Sequence, residues 1–154
     1  MSMSGPSSLR LVIFSLCLVA VAGSLGCKKK EDPATAATRH ALEEVKGQVA
    51  KLRKEASELR ARVNALPDDL PSLDAVRSKL SSVEEVLGTE AARVEWLSGE
   101  LGAAIASGSK EKLAEISETI RGSVEGSKRL AKPVMEVAQD LLPLEHHADG
   151  GNRG

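Results

Sequence analysis

At 154 residues the chain has room for one domain at most. Its 21 basic and 22 acidic side chains nearly cancel and 42% of its residues are hydrophobic, which excludes collagen-like and broadly disordered sequences. One Phe, one Trp and no Tyr count against a base-stacking surface or an aromatic-lined pocket.

The first 26 residues read as an address rather than as part of a fold. Met1 to Arg10 is polar with a single positive charge, and Leu11 to Ala22 is an uncharged apolar run. Small residues follow in Gly23, Ser24 and Gly26. A basic start, a short apolar core and a small-residue exit form the layout of a secretory signal peptide. The whole uncharged stretch, Leu11 to Cys27, is at the bottom of the range for a bilayer-spanning helix, so a removable signal is favoured over a permanent anchor.

Ser24-Leu25-Gly26-Cys27, placed directly after the apolar core, resembles a bacterial lipobox. Gly26 and Cys27 match its last two positions, whereas Ser24 and Leu25 depart from the usual order of Leu followed by a small residue. The resemblance covers residues 1–27 alone. It implies that the Cys27 thiol receives a diacylglyceryl group, that the signal is cut just before it, and that the new amine is acylated, for example with palmitate. The competing reading is ordinary cleavage after Ala20-Val21-Ala22, which releases a soluble periplasmic or secreted chain with a free Cys27 thiol.

Lys28, Lys29 and Lys30 follow at once, placed either to meet anionic headgroups or to serve as a solvated linker. By the same resemblance, the lack of Asp at position 28 favours the outer over the inner membrane of the cell envelope. Cys17 leaves with the signal, so the mature chain has no intrachain disulfide.

Residues 27–32 are then a lipidated Cys and a basic tether, and 33–142 an all-α region. Asp32-Pro33 is an N-cap followed by Pro at the first helical position. From there Leu42, Val45, Val49, Leu52, Ala56, Leu59, Val63 and Leu66 alternate in steps of three and four, a heptad seam. Pro67 and Pro71 stop this helix, and Ser72 is placed to cap the next. The second seam is Leu73, Val76, Leu80, Val83, Leu87, Glu90, Val94, Leu97, Leu101 and Ala104. Ser107-Gly108-Ser109 breaks it, and Ser109 is placed to cap a third helix. That seam is Leu113, Ile116, Ile120, Ser123, Ser127, Leu130, Val134, Val137 and Leu141. Pro133 is expected to kink it and Leu142-Pro143 to end it, leaving 143–154 as a disordered tail.

The spacing therefore predicts three helices, about 33–66, 72–106 and 109–142, each roughly 50 Å long. Connections of a few residues make them antiparallel neighbours in an up-down-up, coiled-coil-like bundle. Residues 28–66 carry 10 basic and 6 acidic groups and 67–106 carry 3 and 8, complementary signs for a hairpin. Val86 and Val124 widen the apolar stripe beyond the seam, as a three-helix core needs.

Three polar residues interrupt the seams. Folding back about the two turns brings Glu90 level with Ser123 and Ser127, and with Gln48, in a single polar core layer. Such a layer sets register, or alternatively lines a small polar cavity. Trp96 lies just off the second seam, covering the bundle edge or anchoring a partner. Glycines 47, 88, 99, 102 and 122 fall away from the seams and soften the helices.

No catalytic, cofactor-binding or metal-binding constellation stands out. His146 and His147 lack companions at ligand spacing. Glu43-Glu44 and Glu84-Glu85 read as charged helix surface, and the basic stretch Lys51 to Arg62 is interleaved with acids, giving no nucleic-acid footprint. The expectation is a non-enzymatic, lipid-anchored envelope spacer, scaffold or partner-binding adaptor, bound to the membrane through its lipid and to a protein partner or to itself. The alternative is a soluble periplasmic or secreted helical carrier of a small apolar ligand.

Overall fold

The computed structural model describes residues 32–150, which form helices and short turns with no strand among them. Four helices follow in order: α1 Pro33–Asn64, α2 Leu73–Ser107, α3 Lys110–Arg129 and α4 Ala131–Gly150. The signal, Cys27 and the three lysines lie outside the described residues.

Local chemistry sets most of these boundaries. The Asp32 carboxylate accepts the Ala34 N–H at 3.4 Å, and Pro33 occupies a position whose N–H would have no helical partner. α1 ends with Ala65 N–H donating to the Ala61 carbonyl at 3.2 Å, two residues before Pro67. At the second turn Gly108 adopts a left-handed conformation, φ 66°, and donates to the Ile105 carbonyl. The Ser109 hydroxyl then accepts the Lys112 N–H and starts α3.

Ser72 is not the cap its type suggested. It sits at φ 70°, ψ 0°, and its side chain makes no cap hydrogen bond. The turn is built on backbone instead: Leu70 N–H donates to Pro67 O, and Leu73 N–H to Leu70 O. A left-handed residue at 72 completes that tight path and delivers Leu73 to the core, 1% exposed. Arg77 straps the turn from outside, 2.6 Å from Asp68 and 3.5 Å from Asp74.

The third stretch also differs from expectation. The break falls at Leu130 rather than at Pro133, because the proline ring clashes with the carbonyl four residues back, that of Arg129. Leu130 N–H closes a tighter bond to Ser127 O, and α4 restarts with Pro133 in its first turn, where it is tolerated. Pro143 does not end the helix: α4 runs through it to Gly150. Leu144, three residues after Leu141, is buried, and Glu145 bridges to Arg62 of α1. Those contacts offset the hydrogen bond that Pro143 cannot make.

The four helices pack as a bundle around the spaced positions. Every seam residue from Leu42 to Val63 is buried, as are Leu73 to Leu87 and Val94 to Ala104 of α2. The seam of α3 continues in phase across Leu130 into Val134, Val137, Leu141 and Leu144. Cross-helix pairs give the register. Arg60 of α1 meets Glu84 while Lys46 meets Ser98, so partner numbers on α2 rise as those on α1 fall. Thr38 with Ser117, Gln48 with Ser127 and Arg62 with Glu145 rise together. Lys79 of α2 lies between Glu136 and Asp140 of α4.

A left-handed conformation costs a residue with a Cβ on the order of 1 kcal/mol and glycine nearly nothing. Ser72→Gly is therefore expected to raise unfolding stability by about 1 kcal/mol in urea titration, since no side-chain hydrogen bond is lost with the serine.

Candidate functional site

The buried apolar side chains fall into two clusters rather than one. The first gathers Leu52, Leu59, Leu80, Leu87, Val137 and Leu141 with their neighbours around the Pro67–Pro71 turn. The second gathers Leu42, Val49, Val94, Leu97, Leu101 and Ile120 toward the Ser107–Ser109 turn. Between them along α2 and α3 lie Glu90, Ser123 and Ser127, and Gln48 of α1 stands beside Val49 at the edge of the second cluster.

Ser123 and Ser127 are fully enclosed, 1% and 0% exposed. The Ser127 hydroxyl has two acceptors, Gln48 Oε1 at 3.0 Å and the Val124 carbonyl at 2.9 Å, so its one hydrogen is shared between α1 and its own helix. Ser123 donates back to the Thr119 carbonyl at 3.2 Å. Glu90 occupies a seam position, yet its side chain retains 16% exposure. Its Oε2 lies 3.8 Å from the Arg93 guanidinium, while Oε1 is buried without a hydrogen-bond partner. A buried acceptor left unpaired is destabilising, so this layer is weaker than the apolar packing on either side. It brings Ser127 and Gln48 into contact, and Glu90 bonds to neither.

A second polar pairing lies nearer the start of α1. Thr35 and Thr38 are buried, and the Thr38 hydroxyl meets that of Ser117 at 2.8 Å. Both hydroxyls also lie on carbonyls of their own helices, Thr38 on Ala34 and Ser117 on Leu113. Stepping the three-four spacing back from Leu42 lands on 38 and 35, so the signal is present in the sequence; reading only apolar residues as seam hides it.

Trp96 is 56% exposed on α2. Val86 is exposed as well and borders an apolar notch with Val83, Leu87, Leu130 and Pro133. Among the described residues, five grooves are open ones on the surface, and Glu90 lines none of these five. His146 and His147 are exposed, and among the described residues no cluster of His, Cys, Asp and Glu is arranged to hold a metal ion. No helix among them is long and apolar enough to cross a membrane. No protein-family model matches the chain, and no curated protein or solved structure matches it.

The flanking charges show which ion pairs are anchored. Arg62 holds Glu145 through two hydrogen bonds, 2.8 and 2.7 Å. That hydrogen bonding lowers the Glu145 carboxyl below its ordinary range and raises Arg62. A carboxyl lowered on folding contributes stability above its unfolded pKa, near 4.3, and loses it as pH falls through the folded value. Because the pair is part-exposed, the contribution is at most about 1 kcal/mol. Glu145→Gln should lower stability by up to that amount at pH 7, and the gap from wild type should close as denaturation is repeated at progressively lower pH below 4.

Proposed function

We propose that the chain is a lipid-anchored helical protein of the bacterial cell envelope, attached through Cys27 and acting as a spacer, scaffold or partner-binding adaptor. Its legs run up, down and up, with sequential helices antiparallel. The pairs in which α2 partners rise as α1 partners fall support that arrangement, as do the parallel-running pairs of α1 with α3 and α4. The spacer reading rests on one observation above the rest: α1 is capped at Asp32, five positions after Cys27, and then runs unbroken to Asn64. The intervening Lys28 to Glu31 spans about 14 Å at full extension. A tether so short keeps a stiff helix close to whatever Cys27 is attached to.

The chemistry of an anchor fits this layout. Each buried CH₂ of an acyl chain contributes about 0.8 kcal/mol, so several chains hold a protein firmly where one does not. Lys28, Lys29 and Lys30 then sit where anionic headgroups gather. The long outer face of α1 is charged, with Lys51 beside Glu55 and Lys54 beside Glu58, a surface suited to holding components apart or presenting them to a partner. Trp96, exposed on α2, is the side chain best equipped to anchor such a partner.

Mass spectrometry of the protein purified from the envelope tests the anchor. The expected N-terminus is Cys27 carrying diacylglyceryl, with Cys27→Ser shifting the protein from the membrane fraction to the soluble one. An unmodified chain starting at Gly23 would overturn the proposal.

A further inference from the structure

The polar layer coincides with other features that each loosen a helix. Gly47 precedes Gln48 on α1, Gly88 stands two residues before Glu90 on α2, and Gly122 and Gly126 immediately precede Ser123 and Ser127 on α3. A Cβ at any of these four would meet nothing within 4 Å, so no close approach within the bundle requires glycine there. Helical propensity falls at each of them all the same. The third leg is already interrupted just beyond, at Leu130.

We infer that this layer is a hinge dividing the bundle into two units that open separately, and that the half carrying the Ser107–Ser109 turn opens first. On α2 and α3 the two buried clusters stop on either side of Glu90 and of Ser123 and Ser127, and α1 alone carries the apolar seam across, from Val49 to Leu52. The clusters are unequal: thirteen buried residues toward the Pro67–Pro71 turn, and eight toward Ser107–Ser109. The smaller half also contains Gly99 and Gly102 inside α2, both with open space around them, and its seam on α1 starts with two threonines. The break at Leu130 lets α3 leave while α4 stays packed through Val134, Val137 and Leu141. Opening this half uncovers Val94, Leu97, Leu101, Ile116 and Ile120 on a ready amphipathic surface. The hinge does not depend on the lipid anchor, and it stands or falls separately from it.

Hydrogen exchange of the full chain, read by mass spectrometry, tests the division. Amides of residues 94–120 should exchange through openings at least about tenfold more frequent than those of 73–87. Leu97→Ala should speed exchange in 94–120 while leaving 73–87 and 134–144 unchanged, whereas Leu80→Ala should speed 73–87 and 134–144 and leave 94–120 unchanged. Equal acceleration throughout by Leu97→Ala would show one cooperative unit and overturn the hinge. A second variant locates it: Glu90→Leu combined with Ser127→Ala joins the two apolar clusters and should narrow the gap between the halves. An unchanged gap in that variant would overturn the assignment of the hinge to this layer.

Discussion

Everything in this bundle depends on keeping one spacing, three then four, in phase along every leg. Each seam side chain that is buried removes apolar surface worth about 1.5–3 kcal/mol for a Leu, Val or Ile, and a single slip of phase would turn the whole following stripe to water. The chain protects this phase through its irregularities. Leu130 is a break of one residue, yet Ser127, Leu130 and Val134 keep their steps of three and four. Pro143 removes a backbone donor inside α4, yet Leu141 and Leu144 remain buried on either side of it. Helical hydrogen bonds are given up locally, and the seam is not.

That hierarchy explains what was legible in the sequence. The apolar steps from Leu42 to Leu66 and from Leu73 to Ala104 lie where their spacing puts them, because a seam is a property of order alone. Ser109 as a cap and Gly108 as a left-handed stop follow from their own side chains, or the lack of one. Placing Gln48 beside Ser127 required only that residues be counted back from the two turns. Ser127 and Gln48 do meet, through the hydrogen bond between them.

The features that were not legible are those decided by contacts distant in sequence. Nothing near Pro143 says that Arg62 waits to bond Glu145, eighty-three positions after it, and that the helix gains by continuing. Ser72 has the type of a cap, but the path from Pro67 through Leu70 leaves it in a left-handed conformation in which its hydroxyl caps nothing. In each case tertiary partners overrode a local preference.

A bundle built this way is continuous along α1 and α2 and divided at one level, and the proposed functions use both properties. The unbroken rods of α1 and α2 suit a spacer held near a membrane by a short tether, and the polar layer gives such a spacer one place to yield. All of it requires the chain to fold back on itself rather than to meet other copies. Double electron–electron resonance measures that directly, with spin labels at exposed positions of a chain whose native cysteines are serine. Labels at His40 and Ala103 should lie near one another, about 10 Å apart plus the reach of the labels, while His40 and Ser78 should be separated by about 40 Å. A long distance for the first pair, or a short one that vanishes on dilution with unlabelled chain, would contradict the fold-back.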